Sequence, residues 1–130
     1  MNPTTLNPGL EHTATLQVTT DKTALAMGSG DMPVLATPAM IALMENAAML
    51  AVAPAMQQGD TTVGSMMHAT HDAPSAVGAT VTATARLTAV EGRKLTFDIQ
   101  AREGDMVIGT ATHVRYIVGR DRFLAKLNAR

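Results

Sequence analysis

From Thr80 onward the chain alternates: Val81, Ala83, Ala85, Leu87 and Ala89 are separated by mostly polar neighbours, the period of a strand with one buried face. Two further segments, Lys94 to Glu103 and Met106 to Val118, continue this texture. Short turns centred on Glu91-Gly92-Arg93 and Glu103-Gly104-Asp105 join them to the first as antiparallel hairpins. Upstream, Leu10 to Thr20 alternates loosely with Leu16 and Val18 on one face, and Thr62 to Asp72 is a further predicted strand, followed by a turn over Ala73 to Gly78. The run TPAMIALMENAAMLAVAP from Thr37 to Pro54 behaves differently. Thr37 is expected as the N-cap and Pro38 as the first helical residue, where proline's missing N–H costs nothing. Apolar residues cover every side of this helix, as in a central helix wrapped by other elements.

The order is therefore strand, helix, then four strands expected as a meander. Asp21 to Val34 is a loop punctuated by the glycines and proline of MGSGDMP. One long apolar helix with about five antiparallel strands, an average sheet, predicts an α+β hotdog fold in which the sheet curls around the helix. Such a sheet ends in an open edge strand, and open edges are usually paired or covered. A homodimer is the expected completion. With 130 residues the chain is read as a mobile tail over residues 1–9 and a single domain over residues 10–130, with little room for a separate regulatory domain.

Composition narrows the function. Net charge is −1 and the sequence pI is near 6.4, with scattered Lys and Arg, so nucleic acid is not an expected partner. The stretch from Met32 to Met56 is interrupted by Pro33, Pro38, Glu45 and Pro54, which argues for a buried helix rather than a membrane span. The opening residues lack the basic start and apolar core of a secretory signal, and a cytoplasmic protein is expected. There is no cysteine, which excludes thiolate nucleophiles, thiolate metal sites and disulfides. Ten methionines against two phenylalanines and one tyrosine make an adaptable core that could line a pocket for a flexible ligand.

The chemistry begins with Glu45, the single ionisable side chain between Asp31 and Asp60. A carboxylate in an apolar helix either finds a partner or rises in pKa, and the second suits a general acid or base. Glu45 shares a face with Ile41, Ala48 and Val52, a face expected to be dry. The structural alternative is an ion pair with an arginine such as Arg115. Thr37 is either a simple cap or a hydroxyl at the positive end of a helix. His68 and His71, an odd number of residues apart on a strand, should point to opposite faces, which argues against a metal site. A lone histidine facing a pocket could act as acid or base near neutral pH. His12 and His113 have no evident context, and Arg120, Arg122, Lys126 and Arg130 are read as a solvated end. Gly28, Gly30 and Gly64 form no nucleotide-binding fingerprint, so no cofactor is expected.

The segments PVLATPAMIALMENAA, VGSMMHATHDAPSAVG, VEGRKL and IGTATHVR together resemble the fluoroacetyl-CoA thioesterase family of hotdog enzymes, in collinear order over nearly the whole domain. The resemblance implies a catalytic set of Thr37, Glu45 and His71, a backbone amide at Gly64 for the thioester carbonyl, and a pocket arginine at Arg115. It also implies an acyl-CoA substrate whose CoA is part of the substrate rather than a cofactor. Where the specialised enzyme uses phenylalanines as a gate before the helix, MGSGDMPVL has none, so a general acyl-CoA thioesterase is the implied activity. A hydratase or dehydratase on the same fold, and a non-catalytic acyl-CoA or small-ligand binding dimer, are the alternatives. Thr37 and Glu45 lie about 12 Å apart along the helix axis and roughly 80° around it, so either one substrate stretches between them or the active site combines residues of two chains, and the shared site is the favoured expectation.

Overall fold

The computed structural model describes residues 4–130. Strand β1 covers Glu11–Gln17 and is followed by a 3-10 turn at Thr20–Lys22 and a single helical turn, α1, at Ala24–Met27, in the segment expected as loop. The long helix α2 spans Thr37–Val52, and β2 (Asp60–His71), β3 (Thr80–Glu91), β4 (Lys94–Glu103) and β5 (Met106–Gly119) follow. The chain closes with α3, Arg120–Asn128, a helix the sequence reading did not anticipate. Residues 1–3 of the expected tail lie outside the described residues. Within the rest of it, Leu6 rests against the core and the Gly9 amide donates to the Leu87 carbonyl.

All five strands form one antiparallel sheet in the order β1-β3-β4-β5-β2. Only β3, β4 and β5 form a meander, so the expectation of four consecutive neighbours is corrected. The reason lies in the connection after β2. Its Ser75 carbonyl accepts from Leu35 N–H, and Val18 exchanges bonds with Gly78 and Ala79, so this segment crosses the start of α2 and carries the chain to the opposite side of the sheet. The two hairpin turns are as expected, with Gly92 and Gly104 at φ 64° and 59°, a region that favours glycine. In β2 the register with β5 shifts between Gly64 and Met66, leaving Ser65 as a bulge.

The sheet's inner face carries Val81, Leu87, Leu95, Phe97 and Ile99, which are buried with Met40, Met44, Ala47, Ala48 and Val52 of α2. Burying each large apolar side chain contributes about 1.5–3 kcal/mol. On β5, Gly109 faces Met40; a Cβ there would lie 2.8 Å from the Met40 sulfur and 2.5 Å from the Thr70 carbonyl. The stretch Thr37–Ala55 has the length and hydropathy of a membrane span, yet eight residues of α2 are buried in the domain. The helix is not wrapped on every side, however. Ala42, Asn46 and Leu50 are exposed, as are Gly64, Ser65 and Met66 of β2, so one chain leaves a strip of helix and part of the β2 edge uncovered.

Candidate active site

Helix α2 begins differently from the expectation, and the difference frees a hydroxyl. Ala36, not Thr37, is the N-cap residue, with φ −69° and ψ 138°, and no side chain caps the helix. Thr37 is the first helical residue, and its Oγ1 lies 2.7 Å from Nδ1 of His71 at the end of β2. The other imidazole nitrogen, Nε2, is buried and has no hydrogen-bond partner among the described residues. The Thr37–His71 pair borders a small cavity lined by Ala24, Val34, Leu35, Ala73 and Pro74. His68, as the strand parity predicted, sits apart from it and is exposed on the sheet's outer face.

A second cluster occupies the other end of β2. Glu45 Oε2 lies 3.7 Å from Nη1 of Arg115, whose side chain is 8% exposed against 44% for Glu45. The expectation of a dry glutamate face is thereby corrected: within one chain Glu45 stands at the border of the uncovered strip. Gly64 packs directly under it. A Cβ at Gly64 would come within 2.9 Å of Glu45 Oε2, 3.2 Å of His113 Cε1 and 3.4 Å of Arg115 Nη1, so the absence of a side chain is what lets the carboxylate approach this backbone.

Arg115 is anchored from below. Its Nε donates to Thr62 Oγ1 at 2.8 Å and its Nη2 to the Thr62 carbonyl at 3.0 Å. Nη1 lies 3.2 Å from His113 Nε2, and His113 Nδ1 lies 2.7 Å from the Met66 carbonyl. Burial pushes the His113 pKa below the usual imidazole value, opposed by the Met66 hydrogen bond; the Arg115 charge lowers it further and the Glu45 charge raises it. Burial also lowers the Arg115 pKa, against the Glu45 carboxylate. Thr62 and His113 were not recognised from sequence. The available signal was spacing: His113 and Arg115 are two apart on a strand and so share a face.

Thr37 with His71, and Glu45 with Gly64 and Arg115, thus form two groups within one chain. The first has a nucleophile-and-base spacing. The second sets a carboxylate beside a guanidinium and over the Gly64 backbone.

A model of the fluoroacetyl-CoA-specific thioesterase family matches residues 18–121. The chain is 40% identical over 94 residues, 72% of its length and 68% of the relative's, to the fluoroacetyl-CoA thioesterase of Streptantibioticus cattleyicolor. The solved structure of the fluoroacetyl-CoA thioesterase FlK superposes with a TM-score of 0.90 at 33% identity, covering 98% of both chains. A Thermus thermophilus hypothetical protein described as a thioesterase superfamily member gives 0.88 at 27% identity, covering 99% of this chain and 94% of that one. The fold alone is shared with a hot-dog-like protein from Thermanaerovibrio acidaminovorans, at a TM-score of 0.85, 20% identity and coverage of 95% and 91%. With most of its length matched and its strands and central helix in the hotdog arrangement, the chain belongs to the fluoroacetyl-CoA-specific thioesterase family.

Proposed function

We propose that this protein hydrolyses a small acyl-CoA to a carboxylic acid and free CoA, at sites assembled from two copies of the chain. The observation that carries the proposal is the division of polar groups along β2. Gly64 and His71 are seven residues apart, about 23 Å at 3.3 Å per strand residue, too far to act on one carbonyl. The free edge of β2 supports pairing with its own copy. Antiparallel pairing sets the Gly64 end of one β2 against the His71 end of the other, and covers the exposed Met66 and Leu50. Each site then holds Glu45, Gly64 and Arg115 of one chain with Thr37 and His71 of the partner subunit.

In this arrangement the Gly64 N–H donates to the thioester carbonyl and stabilises the oxyanion as it forms. Glu45 takes a proton from water as the water oxygen attacks the carbonyl carbon. Thr37 donates a hydrogen bond from its hydroxyl to Nδ1 of His71, which leaves the second imidazole nitrogen as an N–H. That N–H, without a partner among the described residues, donates a hydrogen bond to the CoA sulfur as the C–S bond breaks, and the departing thiolate takes up the proton that Glu45 removed from water. The 2.7 Å Thr37–His71 contact also favours a second route, in which His71 deprotonates Thr37 and Thr37 takes the acyl group before water releases it. The cavity beside Thr37 is lined by small aliphatic residues with Ser29 and Asp72 and carries no Phe, Tyr or Trp, which supports a short acyl group without selection by a phenylalanine gate.

Release of CoA from a panel of short acyl-CoAs, followed with a thiol reagent, tests the activity directly, since the chain has no cysteine of its own. Glu45→Gln keeps the shape and removes the base, so turnover should fall by about 10²–10⁴-fold with folding retained; full activity would sink the assignment. Mixed dimers of Thr37→Ala and Glu45→Gln chains should regain roughly a quarter of wild-type sites, because random two-fold pairing leaves one of two sites intact in half the dimers. No recovery in dimers shown to exchange would count against a shared site. A change in the absorbance of an unsaturated acyl-CoA without CoA release would favour a hydratase instead, and binding with neither outcome would favour a carrier.

A further inference from the structure

Among the buried polar side chains, His113 has no part in the chemistry above, yet it joins two elements that flank Gly64. It is 1% exposed, lies in tilted contact with the Phe97 ring at 6.1 Å, and both ring nitrogens are engaged. The partners decide its protonation state. A backbone carbonyl only accepts, so the nitrogen facing Met66 must carry the hydrogen. A guanidinium only donates, so the nitrogen facing Arg115 must offer its lone pair. His113 is therefore a neutral imidazole in the Nδ1–H form. An imidazolium would set an N–H against the N–H of Arg115.

We propose that His113 is a positioning residue for acyl-CoA hydrolysis, locking the Ser65 bulge of β2 and the Arg115 guanidinium into one arrangement around Gly64 and Glu45. The inference rests on the roles proposed above for those two residues. A bulge leaves one residue outside the ladder and bends its strand, so the backbone next to Gly64 has fewer bonds to fix its direction. The His113 bond to Met66 holds the chain just after the bulge. The Arg115 bonds to Thr62 hold it two residues before Gly64. Because Arg115 and His113 also bond to each other, the two anchors act as one bracket across β5. Its effect falls on the aim of the Gly64 amide, and a donor misplaced by about 1 Å can cost on the order of 100-fold in rate. Arg115 Nη1 is the atom shared by the bracket and by Glu45, so the same bracket places the carboxylate.

Two substitutions separate the bracket from simple packing. His113→Phe keeps a ring against Phe97 and removes both hydrogen bonds; His113→Asn retains an amide N–H able to reach the Met66 carbonyl. For the phenylalanine variant kcat should fall on the order of 100-fold with KM changed far less, and hydrogen exchange at the Gly64 amide should accelerate. The asparagine variant should recover about 10-fold of that loss and slow the exchange again. Wild-type kcat in His113→Phe, or equal losses in the two variants that follow their melting temperatures, would overturn the proposal. Should the phenylalanine variant not fold, nitrogen NMR of the wild-type imidazole decides: the Nδ1–H form near neutral pH is expected, and an Nε2–H form or an imidazolium would end it. Failure of the wider site assignment is distinguishable, because full turnover in Glu45→Gln removes the activity argument while the imidazole spectrum and Gly64 exchange still judge the bracket.

Discussion

At the Gly64 end of β2, Glu45 meets Arg115, Arg115 meets Thr62 and His113, and His113 meets the Met66 carbonyl; at the His71 end one hydroxyl meets one imidazole, and the second nitrogen has no hydrogen-bond partner among the described residues. The first cluster is cross-braced by three elements of the same chain and is held whether or not a second chain is present. The second is left open on one side. An unpaired buried polar atom costs on the order of 1–3 kcal/mol, so the open end gains when a second chain or a substrate supplies a partner. The contrast separates a half braced within one chain from a half with one hydrogen-bonding position still open, and under the proposed mechanism the first aims the carbonyl while the second meets the leaving group.

The strongest way to break this contrast is to disturb the rigid half alone. Gly64→Ala places a methyl group 2.9 Å from Glu45 Oε2 and must displace the carboxylate, so kcat should fall on the order of 100-fold. The imidazole resonances of His71 should stay where they are; movement of both clusters together would show that they are not separate halves. At the open end a smaller loss is expected. Thr37→Val removes the hydroxyl and preserves the side-chain outline, and should lower kcat about 10–100-fold with stability within roughly 0.5 kcal/mol. Thr37→Ser should retain most turnover.

The smallest effect concerns stability against pH. The folded-state pKa of His113 lies below its ordinary 6.5, so between the two values the unfolded chain binds more protons than the folded one. Stability contributed by the neutral imidazole is complete above pH 6.5 and is lost as pH falls toward the lower folded value. Denaturant titrations across this window should show a decline that is reduced in His113→Asn.

Much of this was readable in the residues, and the failures share a cause. The helix, both glycine turns, the alternation of β3 and the opposite facing of His68 and His71 are local properties and were anticipated. The place of β2 was not, because strand order is settled by the long crossing between Asp72 and Ala79, whose backbone bonds to Val18 and Leu35 have no signature in sequence. Thr37 looked like a cap because Thr-Pro is a common helix start; its hydroxyl is instead held by a histidine 34 residues away. Glu45 was correctly paired with Arg115 as one of two readings, whereas the Thr62 and His113 supports were missed because each is an ordinary strand residue until β2 and β5 are laid side by side. The short helix α3 was hidden by its basic residues, which read as a solvated end.

The bulge at Ser65 also sets the phase of everything after it. Inward positions on β2 are even-numbered before it, Thr62 and Gly64 facing Arg115, and odd-numbered after it, Met67, Ala69 and His71 lying opposite His113, Ala111 and Gly109. On an unbroken strand two residues seven apart would face opposite sides of the sheet, and a histidine at position 71 would stand on the outer surface beside the threonines. The additional residue works as a frame shift in three dimensions. It allows one strand to place a glycine near its start and an imidazole at its end on the same face, and in the proposed dimer two such strands laid head to tail bring both to each of two substrates.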